Sequence, residues 1–515
     1  MTIETLEQLL ARESALVTDG IRLHAKIRPD HPALIIDEEV ISYRQFDALL
    51  NQVAHTFKKN DLQVGDVVAI CAATSLEYLA VFFGAIRYGA VIAPMSPSAS
   101  AKALEAMMLD AAPTLTFIDT STAPLLETML DGHGLKTVCL DSPAQAWRHW
   151  LSDEASEYTR PAPQACDPIN IIYSSGTTGV PKGIVHPVAM RWVHSSRRMT
   201  GIDCDSTLLS STPLYSNTTL VALYAALTRG ATTVVMKKFD VRSYLELAQT
   251  HKATHTMLVP VQYQRFMNFP DFDTYDLSSF RQKFCTSAPF SKALKQALIA
   301  RWPGDLIETF GMTEGGGVFV LEAHKYPDKL HTVGKPSPES EMKLLDEQGN
   351  EVAPGQVGEV AGHSIAMMLG YKNQDALSKE IEWFSPEGKR FLKSGDIGKF
   401  DEDGFFVLMA RRKEMIISGG FNIYPSDLEA ELHQHDNVLE AAVVGMHSEE
   451  WGEIPVAFVV VNSGEHLTET DLLDWVNARL GKMQRIKKLC FLDQLPRSSI
   501  GKVLKKELHT LTNDM

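Results

Sequence analysis

The stretch Ile171–Gly183 (IIYSSGTTGVPKG) holds the residue types that cradle a polyphosphate. An apolar run leads into Ser174, Ser175, Gly176, Thr177, Thr178 and Gly179, and Lys182 follows between Pro181 and Gly183. Glycines let backbone N–H groups approach an anion, hydroxyls add donors, and a lysine adds a point charge. This is not a Walker A loop, because two residues rather than four separate Gly176 from Gly179. A small polar tract also makes a surface turn, and its place directly after an apolar run is what favours the cradle. Glu314 closes T-F-G-M-T-E (Thr309–Glu314), a T-E pair beside a glycine-rich stretch that is unremarkable alone. Asp396 follows Gly395. Then come the run Arg411–Glu414, the paired Gly419 and Gly420, and Lys502 in P-R-S-S-I-G-K. Taken singly, G-D is a common turn, R-R-K-E is a solvated charge run and Lys502 is a surface lysine.

In this order the motifs closely resemble those of the adenylate-forming superfamily: acyl- and aryl-CoA ligases, luciferases and peptide-synthetase adenylation domains. The likeness runs from the Tyr43 region to Lys506 and is similar to that of 4-chlorobenzoate- and 4-coumarate-CoA ligases. By this resemblance the Gly/Ser/Thr loop binds the phosphates of ATP. Phe310, where the family usually has tyrosine, stacks on adenine beside Thr309 and Gly311; Thr313 touches the α-phosphate and Glu314 holds Mg²⁺. Ser287, Ala288 and Pro289 lie against the adenine, with serine in place of the usual glycine. Asp396 and Arg411 take the ribose, Lys413 is the hinge, and Lys502 enters the site for adenylation. Gly419 and Gly420 line the tunnel for the pantetheine arm of CoA, and Trp451 matches an aromatic that packs on CoA. Lys482, Arg485, Lys487 and Lys488 form a basic cluster that suits CoA phosphates or is a solvated face; Ile486 stands where the family often has proline.

The resemblance implies two half-reactions. A carboxylate attacks the α-phosphorus of ATP to give an acyl-adenylate and pyrophosphate, with Lys502 between the two anions. The small domain then rotates about Lys413 and presents Gly419 and Gly420 to the incoming thiol. On the acid side, Pro213–Leu214–Tyr215 resembles the family's P-L-[FY]-H, with Ser216 at the histidine position and Asn217 and Thr218 following. Gly315, Gly316 and Gly317 occupy positions where many relatives carry larger residues, and Met257, Val259 and Val261 supply apolar lining. Small walls leave room for an aromatic, cyclic or otherwise bulky acid with polar decoration, unless a neighbouring side chain fills the space. No aspartate near Ser216–Thr218 pairs with an α-ammonium, which disfavours amino acids. The chain reaches Met515 without a carrier domain, so free CoA is the expected acceptor. Two other readings stay open: loading of a separate carrier protein, and a non-catalytic nucleotide or acyl-CoA binder.

The elements that must position these residues alternate between strand and helix. Asp66–Cys71, Ala90–Pro94, Thr114–Asp119, Thr137–Asp141, Asn170–Tyr173, Leu208–Thr212, Thr233–Lys238 and Thr256–Pro260 read as strands. Helices are expected over Leu76–Tyr88 and near Leu220–Leu227 and Tyr244–Thr250. The expected fold is α/β: a large N-terminal domain of layered subdomains plus a small β unit (1–411), and a small mobile α+β C-terminal domain (412–515). With 64 acidic against 49 basic residues, a formal charge of −15, a nucleic-acid surface is excluded. No apolar run suits a membrane span, and six scattered cysteines make neither a disulfide framework nor a zinc site. The expected compartment is the cytoplasm, the expected partners are the acid, ATP and CoA, and a homodimer is compatible with the family.

Overall fold

The computed structural model describes residues 4–126, 135–142, 146–174, 181–196, 201–418, 421–449, 451–462, 467–481, 484–498 and 501–512. By its contacts the chain divides into two compact units. The first comprises Met1–Leu330, Pro336–Glu341 and His363–Glu382; the second comprises His331–Lys335, Met342–Gly362 and Trp383–Met515.

The first unit holds two sheets with helices between them. One sheet runs Thr137–Cys139, Leu115–Ile118, Val67–Cys71, Val91–Pro94, Pro168–Ser174, Lys182–Pro187 and Gly370–Tyr371, in spatial order. Its pairings are parallel until Pro168–Ser174; Lys182–Pro187 and Gly370–Tyr371 then continue the edge antiparallel. The other sheet runs Val318–Glu322, Asp305–Gly311, Gln282–Cys285, His255–Leu258, Thr207–Ser210, Thr232–Val235, Pro32–Ile36 and Glu39–Ser42. Its interior pairings are parallel; Val318–Glu322 on one side and Glu39–Ser42 on the other pair antiparallel with their neighbours, and the two-residue strand Lys335–Pro336 follows Val318–Glu322 as the ninth. The alternating pattern thus reads through as mostly parallel sheet. The first pair of strands, Pro32–Ile36 and Glu39–Ser42, escaped it because they belong to the second sheet, where Leu34 sits opposite Thr233.

Helix Leu76–Tyr88 begins at Ser75, whose hydroxyl caps the Tyr78 N–H, and stops at Gly89 with φ 102°. It is mostly apolar because it is enclosed from Tyr78 onward, and its buried charge, Arg87, pairs with Asp47. One core cluster joins Val68, Ile70 and Phe117 of the first sheet to Leu34 and Ile36 of the second, through Phe46, Phe82, Phe83 and Leu223 on the helices.

In the second unit, Phe406–Arg411 pairs antiparallel with Arg390–Phe400, with Asp396 opposite Arg411. The turn before it is held by Asp401, whose Oδ1 accepts from the Asp403 and Phe405 N–H groups, and Gly404 takes φ 80°. Farther on, Val438–Ser448 pairs antiparallel with Gly452–Val461, and Lys488–Phe491 joins the latter in parallel. Both faces are covered: Val443 and Val459 pack with Leu428, Leu432, Leu472 and Val476, while Val444 and Phe458 pack with Leu495 and Leu508. Helix Glu469–Asn477 is started by a capping box between Thr468 and Asp471. Among the described residues no helix is long and apolar enough to cross a membrane.

Helices Val17–Ile27 and Asn217–Arg229 cross at Gly20, where an added Cβ would lie 2.6 Å from the Thr228 Cα. That contact is backbone, so a helix must shift to relieve it. Gly20→Ala is expected to lower unfolding stability by about 1–3 kcal/mol, overpacking exceeding the helix-propensity gain; urea denaturation measures it.

Candidate active site

Strands Pro168–Ser174 and Lys182–Pro187 form the two arms of a hairpin, with Ser174 directly opposite Lys182. The loop between them carries Ser175, Gly176, Thr177, Thr178 and Gly179, which lie outside the described residues. The Lys182 ammonium stands 5.2 Å from the centre of the Tyr371 ring. Tyr371 sits on the short strand that pairs with the far edge of the same arm, opposite Ile184. Its hydroxyl donates to Glu314 Oε1 at 2.7 Å. Burial and the Glu314 charge push the phenol up from its ordinary value, so it remains a donor. Lysine, tyrosine and glutamate thus form one connected group.

Glu314 follows Thr313 just beyond strand Asp305–Gly311, which carries Thr309, Phe310 and Gly311. The half-buried Phe310 ring tilts against Phe319 at 6.1 Å. The Thr313 carbonyl accepts from His186 Nε2 at 2.8 Å, and the Glu314 carbonyl accepts from the Met368 N–H, also at 2.8 Å. Gly315, Gly316 and Gly317 all have positive φ. A Cβ on Gly315 would fall 1.9 Å from the Ala366 carbonyl oxygen. Its small size therefore serves close backbone approach as well as any space in front of it.

Ser287 is held at φ 79°, in the left-handed region that glycine enters freely and serine does not. That accounts for the glycine the family usually has there. Its Oγ lies 2.6 Å from Thr218 Oγ1, so the turn with Ala288 and Pro289 is tied to the start of helix Asn217–Arg229. Ser216 is the N-cap of that helix and accepts from the Thr218 N–H. Asn217 turns its carbonyl oxygen to the buried Arg191 at 2.6 Å. Tyr215 and Val261 are half-buried, and Met257 is buried on strand His255–Leu258.

In the second unit, Arg411 Nε donates to Asp396 Oδ1 at 2.9 Å. Burial pushes the Asp396 carboxyl up, and Arg411 pulls it down. Lys502 shares these surroundings. Burial and the Arg411 charge push its ammonium below the usual lysine value, against the pull of Glu414 and Asp396. Lys413 lies in the single 3-10 turn Arg412–Glu414 that follows Phe406–Arg411. The Lys487 ammonium stands 5.9 Å from the Trp451 ring centre, and Arg485 is exposed. Ile486 is buried, and its N–H donates to Asn477 Oδ1, a bond that proline could not make. Gly419, Gly420 and Lys482 lie outside the described residues.

Three participants had no local motif to reveal them. Tyr371 lies 57 residues from Glu314, and His186 and Arg191 are polar positions in an otherwise buried stretch. Thr218, rather than Asn217, directs its hydroxyl at the Ser287 turn.

Among the described residues no three potential ligands gather as a metal site. Glu314 keeps Oε2 clear of the tyrosine bond. One carboxylate oxygen suits Mg²⁺, which keeps several waters and enters with phosphates.

The first unit thus holds a hairpin with a linked lysine, tyrosine and glutamate, and the second unit, by itself, holds the buried Asp396 paired with Arg411 beside a lysine. The chain belongs to the AMP-binding enzyme family: that family's model matches residues 21–372, and the model of its C-terminal domain matches residues 427–502. It is 31% identical to 4-coumarate–CoA ligase 2 of Nicotiana tabacum over 93% of this chain and 91% of that one. It is 29% identical to indoleacetate–CoA ligase of Aromatoleum aromaticum over 96% and 98%. Among solved structures it resembles ATP-bound MatB from Rhodopseudomonas palustris, with a TM-score of 0.89, 27% identity, and 97% and 99% of the two chains covered.

The Arg191 guanidinium donates into His186 Nδ1 at 2.8 Å, so the imidazole proton sits on Nε2. Burial first, then the Arg191 charge, pushes the ring well below the ordinary histidine value. His186 is expected to stay neutral and Nε2-protonated at pH 6. Ring-nitrogen NMR shifts read this directly, and a protonated ring at that pH would contradict the network.

Proposed function

We propose that the protein is an AMP-forming acid–CoA ligase acting on an aromatic, cyclic or otherwise bulky carboxylic acid. The observation that carries this is the linked group Lys182–Tyr371–Glu314 at the mouth of the phosphate hairpin. The cost of the first half-reaction is electrostatic, since a carboxylate must approach a polyphosphate. Lys182 and the backbone and hydroxyl donors of its loop hold the phosphates, and Thr313 reaches the α-phosphate. Glu314, oriented by Tyr371, would hold Mg²⁺, which neutralises phosphate charge when bound. Phe310 and the Ser287–Pro289 turn take the adenine, and Asp396 with Arg411 takes the ribose hydroxyls.

Lys502 has the charge to lie between carboxylate and α-phosphate. Its surroundings support this: a half-buried ammonium next to the ribose pair. Once the adenylate has formed, that lysine blocks the thiol. Rotation of residues 412–515 about Lys413 would replace it with Gly419–Gly420 and bring Trp451 and Arg485 to CoA. The small polar wall at Ser216 and Thr218 supports an acid with a hydrogen-bonding substituent.

Incubation with ATP and a panel of aryl, cinnamyl, alicyclic and fatty acids, with and without CoA, tests the proposal. Pyrophosphate release with a CoA-dependent thioester is expected. Pyrophosphate without thioester would point to a carrier-protein acceptor, and none with any acid would point to a binder.

Lys502→Ala should cut pyrophosphate release by at least about 100-fold while a supplied acyl-adenylate still converts to thioester. Equal loss in both halves would refute the role. The protonated form of Lys502 is the one that can bridge two anions. Because its folded value is depressed, that form is lost as pH rises, earlier than for free lysine. Pyrophosphate release measured from about pH 7 to 11 should therefore decline with an apparent pKa below the ordinary lysine value; an alkaline limb at or above that value would count against it.

A further inference from the structure

Helix Val188–Ser196 carries a guanidinium that the chemistry above does not use. Arg191 is 1% exposed. Its Nε donates to Asn170 Oδ1 at 2.7 Å, Nη1 to Asn217 Oδ1 at 2.6 Å, and Nη2 to His186 Nδ1 at 2.8 Å. A longer contact reaches His194 Nδ1 at 3.4 Å, and the group lies 5.5 Å from the Tyr224 ring centre. No carboxylate among the described residues pairs with it. A buried cation without an anion is expensive, and an apolar residue of similar volume would fill the same space at lower cost. Burial lowers its pKa to about 10, in keeping with that cost.

The places where its bonds end explain why it stays. Asn170 belongs to the strand that leads into the phosphate loop. His186 belongs to the strand that leaves it, on the same face as Lys182. Asn217 opens the helix after the Ser216 cap. His186 passes the link on, since its Nε2–H donates to the Thr313 carbonyl next to Glu314. One planar cation therefore sets four segments, each bearing a site motif, in fixed register. A lysine could not replace it, because an ammonium lacks the rigid fork that addresses three partners in one plane.

We propose that Arg191, acting through His186, is a positioning residue that holds Thr313 and Glu314 in register with the phosphate hairpin and thereby sets the affinity for nucleotide. The proposal rests on the nucleotide reading above and extends it to residues that touch no substrate.

Calorimetric titration of Mg–ATP into folded variants tests it, with melting temperature as the control and no acid required. His186→Leu removes both the donor to Thr313 and the acceptor for Arg191. It should weaken ATP binding about tenfold, roughly the worth of one hydrogen bond. His186→Gln supplies an amide N–H for Thr313 and an amide oxygen for Arg191, and should bind within about twofold of wild type. Arg191→Lys keeps the charge but loses the fork, should weaken binding several-fold, and reads the same link if His186→Leu does not fold. Wild-type affinity in His186→Leu, or equal loss in the Leu and Gln variants, overturns the proposal. Absence of ATP binding by the wild type would instead defeat the nucleotide reading itself, and this inference with it.

Discussion

The antiparallel strand Lys182–Pro187 governs the chemistry of the first unit. A run of parallel strands would have carried the chain away from the sheet after Pro168–Ser174. Instead the chain folds straight back, and the returning strand is held on both edges, by its hairpin partner and by Gly370–Tyr371. Because side chains alternate, Lys182 and His186 share one face, four residues apart, which places them roughly 13 Å from each other. Thr313 and Glu314 lie along that interval, one bonded to His186 and the other to Tyr371. Lys182 and the buried polar group around His186 are thus spaced by a single strand.

What was legible in the sequence follows from how contiguous each feature is. The phosphate loop, T-F-G-M-T-E and P-R-S-S-I-G-K are short, and each carries its chemistry in its own residue types. Strand–helix alternation gave away the parallel sheets for the same reason. Tyr371, Arg191 and His186 were not legible, because their roles arise from contacts between segments remote in the chain. Glycine was ambiguous as well. The triplet Gly315–Gly317 reads as an emptied pocket wall, yet Gly315 is small because the Ala366 carbonyl crosses it. Asn217, placed in the pocket by its neighbours, spends its carbonyl on the interior.

Buried charge is handled in more than one way. In the first unit Arg87 pairs with Asp47 and Lys295 with Glu308, whereas Arg191 is buried among neutral partners, with no described carboxylate to compensate it. In the second, the ionised groups come as a cluster: Asp396 with Arg411, and Lys505 bonded to Glu429 at 2.8 Å and close to Glu414. Lys505 gains enough from these acids to keep its ammonium above the ordinary value despite burial. Lys502, near the same groups but also near Arg411, goes the other way. Two lysines three residues apart are therefore set to opposite proton affinities by their neighbours.

The pairing of Leu34 with Thr233 also bears on how the polypeptide is made. At about 5–20 residues per second, the partner strand leaves the ribosome roughly 10–40 s after the first. Throughout that interval the apolar run Pro32–Ile36 and the largely apolar helix Leu76–Tyr88 lack the second sheet that covers them. The nascent chain therefore keeps part of its future core uncovered until the second sheet closes, the stage at which a chain of this topology is most open to aggregation.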